Sequence, residues 1–311
     1  MARSLVTGAS GFIGANLVRA LVDKGDEVHA FVRAESNLWR LKDIEEKIIL
    51  HRVDVTSFSE TERVVTKVTP DRVYHLVHYG GNRGQGDGAE VRRTIIEGTA
   101  CLYAACQKVP TIKSIVNAGS SSEYGAKKDA MREDMLPEPN IEYGIAKLWA
   151  TLYGEYLRRE KGMPITTLRI FSAYGPYEAG ARLFPGVTMS LMEGKSPKLS
   201  DPNSVRDFIY VDDIVRAFIT ATEKPHGVYN IGTGVQSSLR EVVKLLCSEL
   251  GSTIELTWGV DPGREFEVNF WRADISRANK ILDWKPSVSL TDGVKKTVAW
   301  FKEHKNLYEK S

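Results

Sequence analysis

An α/β fold, a doubly wound parallel sheet with a smaller C-terminal lobe, is predicted by three features of this 311-residue chain. Short apolar runs alternate with stretches of helical periodicity through the first half. A glycine-rich turn, "TGASGFIG", joins the first apolar run to the first helical stretch. Beyond Phe171 the alternation gives way to Gly- and Pro-containing loops such as "YGPYEAGARLFPG" and "KSPKLSDPNS".

In chain order the strand-like runs are "RSLVTG", "EVHAFVR", "KIILHRVDV", "DRVYHLV", "IKSIVNAG" and "ITTLRIF", and the helical stretches between them cover residues 12–24, 60–67, 90–108 and 141–160. Parallel neighbours need long crossovers. Helices packed on both faces of a sheet make its strands read as unbroken apolar runs, as they do here. A short helix follows the first Gly/Pro loop, "RDFIYV" and "GVYNIG" read as later returns to the sheet, and residues 238–251 with the tail read as a second lobe. The expected division is interleaved: residues 1–172 with 205–232 form the larger domain, and residues 173–204 with 233–311 form a substrate-binding lobe.

Composition narrows the function. With 42% hydrophobic and 26% charged residues the chain can bury a core, and a net charge of +2 without a basic run or stripe argues against nucleic acid or anionic membrane as partner. The N-terminus enters a strand at once, with no cationic and apolar leader, and no apolar run approaches a membrane span, so a cytoplasmic location is expected. Three cysteines, Cys101, Cys106 and Cys247, form no Cys-x-x-Cys pair and read as packing residues of a reducing compartment. No metal site is expected: the closest histidines, His75 and His78, stand three apart on a strand, where side chains point to opposite faces.

The glycine turn points to a nucleotide. Gly8, Gly11 and Gly14 follow the first strand and open the first helix in the spacing GxxGxxG. Such glycines permit a tight bend, close approach of backbone to a pyrophosphate and close helix-on-strand packing, while the free amides of the helix N-terminus attract phosphate. The larger domain is therefore a Rossmann-like dinucleotide-binding domain. At the end of the second strand, where an acidic residue accepts the ribose hydroxyls of NAD, the chain has Val32 and then Arg33, with Glu35 and Asp54 near in sequence. A planar guanidinium suits a 2′-phosphate, so NADP is expected over NAD.

Two tyrosines have a lysine four residues on: Tyr124 with Lys128, and Tyr143 with Lys147. An ordinary tyrosine has a pKa near ~10, and a close ammonium lowers it toward the range useful for proton transfer. Side chains four apart meet only on a helix. Tyr124 is followed by Gly125 and a stretch with no apolar face before prolines, whereas Tyr143 opens a long amphipathic segment with Ile145, Leu148, Trp149, Leu152, Tyr156 and Leu157. The working pair is thus Tyr143 and Lys147. Ser120, Ser121 and Ser122 end the fifth strand, where open α/β sheets place ligands, and by composition any of the three can hydrogen-bond a reacting oxygen.

With these residues together, the chain resembles the extended short-chain dehydrogenase/reductase family, in its nucleotide-sugar epimerase/dehydratase branch. The resemblance runs in order through "TGASGFIG", "RVDVTS", "VYHL", "GSSSEYG", "YGIAK", "LRIFSAYGP", "RDFIYVDD", "VYNIGTG" and "ADISRANKILDWKP". It implies Ser120 as the catalytic hydroxyl, five residues before the glycine of "EYG", Tyr143 as acid/base, and Lys147 holding the cofactor ribose and tuning Tyr143. It implies cofactor contacts from Gly8, Gly11, Phe12, Ile13, Gly14, Asp54, Val55 and Leu76 besides Arg33. Substrate contacts are implied for Ser121, Ser122, Ser172, Arg206 and Arg264, the two arginines on the diphosphate. Tyr124 becomes a structural tyrosine. Three places depart from the pattern. Ser121 and Ser122 stand where the family's 4,6-dehydratases carry an acidic pair, which disfavours dehydration. Ile95 and Ser172 each replace an asparagine.

The expected reaction is hydride transfer at C4 of a nucleotide-diphosphate sugar, with a 4-keto-sugar reductase using NADPH ahead of a 4-epimerase retaining NAD. A non-catalytic dinucleotide sensor is the rival from another class, and keeping Ser120, Tyr143 and Lys147 argues against it. The resemblance also implies a homodimer built on the helices near residues 90–108 and 141–160. The glycine-rich loop "YGGNRGQGDG" reads as a mobile cover over the cofactor or a plain surface loop.

Overall fold

The computed structural model describes residues 1–80, 87–261 and 269–308, so most of the "YGGNRGQGDG" loop lies outside the described residues. Along the chain the strands are β1 (Arg3–Thr7), β2 (Glu27–Val32), β3 (Ile49–Arg52), β4 (Arg72–His75), β5 (Ser114–Ser120), β6 (Ile165–Ile170), β7 (Ser172–Tyr174), β8 (Val205–Arg206), β9 (Phe208–Tyr210), β10 (Val228–Ile231) and β11 (Ser237–Ser238). The helices are α1 (Phe12–Asp23), α2 (Phe58–Val68), α3 (Gly88–Val91), α4 (Gly98–Gln107), α5 (Glu142–Lys161), α6 (Leu183–Met192), α7 (Val211–Ala221), α8 (Leu239–Leu250) and α9 (Leu290–His304). Seven strands make one parallel sheet in the order β10-β6-β5-β4-β1-β2-β3.

Both faces of that sheet are covered, which explains why β5 and β6 are buried along their whole length. On one face Leu17, Val18 and Leu21 of α1 pack with Ile214 and Phe218 of α7. On the other, Val64 and Val65 of α2 join Leu102 and Tyr103 of α4 and Leu157 of α5. A third cluster gathers Phe184 and Leu191 of α6, Val242 and Leu246 of α8, and Val294 and Val298 of α9 beside the β7–β9 ribbon. Cys106 is buried in the second of these clusters, and Cys101 and Cys247 are half-buried free thiols.

Two expectations about the later chain need correcting. "RDFIYV" does not rejoin the main sheet: β9 pairs in parallel with β7, Ser172 opposite Phe208, and β8 pairs antiparallel with β11. The open edge of β6 can take one strand only, and β10 occupies it, Val228 opposite Thr167. The helix expected over residues 90–108 is likewise not uniform, because a π-turn spans Arg92–Glu97 between α3 and α4. Within that turn Ile95 is buried against Val91, Ala146 and Ala150, so the residue that replaces the family's asparagine is part of an apolar contact with α5.

One buried carboxylate fastens the two parts of the chain. Asp207 is 0% exposed; its Oδ1 accepts from Thr233 N at 2.7 Å and Thr233 Oγ1 at 2.6 Å, and its Oδ2 accepts from Gly234 N and Ala273 N, both at 3.0 Å. Burial raises its pKa against those hydrogen bonds, which favour the charged form.

Beneath the sheet's mouth, His75 is fixed between Thr7 Oγ1 at 2.7 Å and Thr99 Oγ1 at 3.0 Å, and burial lowers its pKa to about 3. It is neutral in the fold, so the unfolded chain binds the extra proton once the pH drops below the ordinary histidine value near ~6.5. Stability from this site is complete above that pH and is lost as pH falls toward about 3. Its loss runs at about 1.4 kcal/mol per unit, or ~2 kcal/mol by pH 5. Denaturant midpoints of the parent and His75→Gln at pH 7.5 and 5.0 check this: the variant is expected to lose less stability over the interval, and equal losses would refute the assignment. Among the described residues no group of three His, Cys, Asp or Glu is placed to hold a metal, and no helix is long and apolar enough to cross a membrane.

Candidate active site

The glycine turn has the geometry its spacing predicts. Gly8 has φ +68°, and a Cβ on it would lie 2.6 Å from the Leu76 carbonyl oxygen; one on Gly14 would lie 2.2 Å from the Gly8 carbonyl oxygen. Gly11 N donates to Gly8 O at 3.0 Å, closing the turn. Gly11 also caps α1 without any side-chain bond to the helix amides, and the first turn of α1 has no acidic residue. The N-terminus of α1 therefore keeps its amides and dipole for an anion. Phe12 and Ile13 pack half-buried on the core, Leu76 is buried, and Val55 is buried where a Cβ on Gly98 would touch it. The glycine turn fits a dinucleotide, because backbone without a Cβ can approach a diphosphate there.

At the end of β2 Arg33 is already engaged, 3.0 Å from Glu35 and 4.0 Å from Glu90. Asp54 accepts from Thr56 N and Thr56 Oγ1 and bonds Arg93 at 3.2 Å; burial opposes its ionisation, but these partners hold its carboxyl below the ordinary range. Arg93 also binds Glu90, and Arg52 donates to the Arg33 and Ala34 carbonyls. Three arginines and three carboxylates thus meet at this end.

The catalytic candidates converge at the mouth of β5. Helix α5 carries Tyr143, half-buried, in its first turn, with Lys147 one turn on and its Nζ 6.0 Å from the centre of the Tyr143 ring. Lys147 is 3% exposed and donates to Ala118 O at 2.9 Å and Val77 O at 3.2 Å, the strand-end carbonyls of β5 and of the segment after β4. Burial lowers its pKa to about 8, opposed by the negative charge of Glu123. A Cβ on Gly144 would lie 2.5 Å from the Ser122 carbonyl, so the glycine of "YGIAK" lets α5 close on the serine turn. Ser120 is buried, and its Oγ accepts from Ser122 N at 3.1 Å, which leaves its own O–H to donate.

The remaining site residues fall as follows. Ser121 Oγ accepts from Trp271 Nε1 at 3.1 Å, and Ser122 is half-buried. Ser172 N donates to Asp207 O at 2.9 Å on the β7–β9 ribbon. Arg206 stands 5.9 Å over the Trp271 ring, which brings it to the same side as the serines. Arg264 lies outside the described residues. Tyr124 is fully buried, donates to Asn230 Oδ1 at 2.7 Å, and has its pKa pushed up to about 12 by burial, so it is no proton-transfer group.

Sequence reasoning missed two residues here. Glu123, wholly buried, binds Ser120 N and Arg169; its spacing three residues after a serine is the capping-box signature and was there to be read. Trp271 gave no signal, since it reaches Ser121 from 150 positions away.

An open helix N-terminus at a glycine turn, with a serine, a tyrosine and a buried lysine gathered at the mouth of the next strands, defines a dinucleotide-dependent enzyme of the extended short-chain dehydrogenase/reductase type. Residues 4–232 match the model of the NAD dependent epimerase/dehydratase family, and the chain belongs to that family. It is similar to the UDP-glucuronate 4-epimerase of Thermodesulfobacterium geofontis, 28% identical over 96% of each chain. Among solved structures it is similar to the UDP-glucose 4-epimerase of Thermotoga maritima with UDP-glucose, at 28% identity and TM-score 0.89 over 97% of this chain and 99% of that one. It is also similar to a UDP-glucuronic acid 4-epimerase variant from Bacillus cereus with NAD and UDP-4-deoxy-4-fluoro-glucuronic acid, at 27% identity and TM-score 0.84 over 97% and 99%. The seven-stranded Rossmann-like sheet is thereby established, and the sensor reading is set aside.

Proposed function

We propose that the protein is a nucleotide-sugar 4-epimerase that retains NAD, which reverses the order of the two reactions expected above. The observation that carries it is the grouping of Ser120, Tyr143 and Lys147 at a strand mouth where the next two positions, Ser121 and Ser122, are neutral. A bound nicotinamide would supply a hydride acceptor and donor. Tyr143 takes the proton from the C4 hydroxyl and returns it, Ser120 donates to the same oxygen, and Lys147 provides the positive charge beside the phenol. Dehydration needs an acid and a base at the leaving hydroxide and at C5. Ser121 is bonded to Trp271, and Glu123, the carboxylate that follows the serines in sequence, is fully buried on Arg169. The small lobe, with Arg206 and Trp271 at its edge, is the part proposed to hold the sugar and diphosphate. Relatives named as 4-epimerases support the choice.

A second reading has its own observation: Arg33 is exposed just after β2, where a guanidinium released from Glu35 would suit a 2′-phosphate, and with it an NADPH-dependent 4-keto-sugar reductase. One experiment separates the two. UDP-glucose, UDP-glucuronate and their C4 epimers are each incubated with the purified protein and followed by proton NMR, beside a 4-keto-6-deoxysugar nucleotide with NADPH. Interconversion without net cofactor consumption is expected; stoichiometric NADPH oxidation would replace the epimerase by the reductase.

The homodimer belongs to the same proposal. Ile145, Leu152 and Tyr156 are exposed along α5, an apolar stripe for a second copy. Light scattering of the parent and Leu152→Glu tests it, a dimer turning to monomer being the expected result.

A further inference from the structure

We propose that Glu123 is a positioning residue for catalysis: clamped by Arg169, it fixes the backbone of Ser120 and with it the place of the Ser120 hydroxyl. This rests on the roles proposed above for Ser120, Tyr143 and Lys147.

The geometry starts at β5. Ser120 N donates to Glu123 Oε1 at 2.8 Å while Ser120 Oγ accepts from Ser122 N, so the serine turn is closed as a capping box. The other carboxylate oxygen, Oε2, accepts from Arg169 Nε on β6 at 2.7 Å. Glu123 and Arg169 are 0% and 4% exposed. The guanidinium is held further by the ring of Tyr124, 4.6 Å away. Gly119 makes the space: a Cβ there would lie 2.8 Å from Glu123 Oε1 and 2.7 Å from Thr167 Cγ2. A buried ion pair is a poor device for stability alone, because both charges lose their water. Here the carboxylate is bonded to the very residue that presents its hydroxyl to the cleft.

Two substitutions test this. Glu123→Gln, combined with Arg169→Met so that no cation is stranded, keeps an oxygen for Ser120 N. Glu123→Asp keeps the charge and is too short to reach Ser120 N. Each variant is first shown folded by circular dichroism. Glu123→Asp is expected to lower kcat by about tenfold or more with KM nearly unchanged, and the paired variant to recover most of that loss. Full activity in Glu123→Asp, or an equal loss in both variants, overturns the proposal. The Ser120 amide is followed by ¹H–¹⁵N NMR without substrate and is expected to shift in Glu123→Asp; an unmoved amide there also overturns the proposal. That readout needs no turnover, so it stands apart from the catalytic reading, whose own failure would show as full activity in Tyr143→Phe.

Discussion

Tyr143→Phe is expected to give a folded protein whose kcat is lower by about 10²–10⁴-fold, with KM for the nucleotide sugar changed little. The substitution removes one oxygen from a half-buried ring and leaves the packing of α5 on Ile95 and Val91 untouched. What it deletes is the phenol proposed to carry the proton at the C4 oxygen. An aromatic ring of the same size still fills the cleft wall, so binding persists while the reaction stalls. Steady-state kinetics with the substrate found in the NMR screen, together with a thermal melt, check both halves. A loss confined to KM, or a collapsed melt, would mean that Tyr143 serves binding or structure.

Lys147→Met is expected to lower kcat to a comparable degree, by about 10²–10³-fold, since the phenol then loses its neighbouring ammonium. Its effect on stability has the opposite sign from that of most buried substitutions. The lysine pKa is lowered from 10.5 to about 8 in the fold, so at pH 7 the folded chain holds the proton less tightly than the unfolded chain does. That deficit opposes folding and fades as pH rises from about 8 toward 10.5. Methionine removes a penalty of about 3 kcal/mol at neutral pH and strands the Ala118 and Val77 carbonyls, each worth ~1 kcal/mol. The unfolding midpoint in urea is therefore expected to equal or exceed that of the parent. An unfolding free energy lower by several kcal/mol would show that the lysine is held for structure.

What could be read from the chain was what depends on neighbours in sequence. The glycine turn declared itself because Gly8, Gly11 and Gly14 lie within seven residues, and the choice of Tyr143 over Tyr124 followed from one local question, which segment is helical. Where strand pairing depends on competition for an edge, local pattern gives no answer. "RDFIYV" and "GVYNIG" look alike as apolar runs, and only the occupation of the β6 edge by β10 decides between them. Helix α7 is not among the expected elements although Val211, Ile214, Val215 and Phe218 fall at helical spacing. The π-turn at Arg92–Glu97 arises from packing on α5, which no periodicity announces. The cofactor's 2′ position stayed open for a related reason. Arg33 has the right charge, but its meaning depends on Glu35, Glu90 and Arg93 gathering around it.

The late arrival of β10 bears on how the polypeptide is born. During synthesis from the N-terminus, six strands of the sheet emerge by Ile170, yet the strand that covers the flank of β6 is made only at Val228–Ile231, and the helix that shields α1 only at Val211–Ala221. For that interval the nascent chain presents a bare, apolar strand flank to its surroundings, the kind of surface that sticks to other chains. A fragment ending near residue 172 is accordingly expected to aggregate, and ribosome-associated chaperones have a defined window of about sixty residues in which to act.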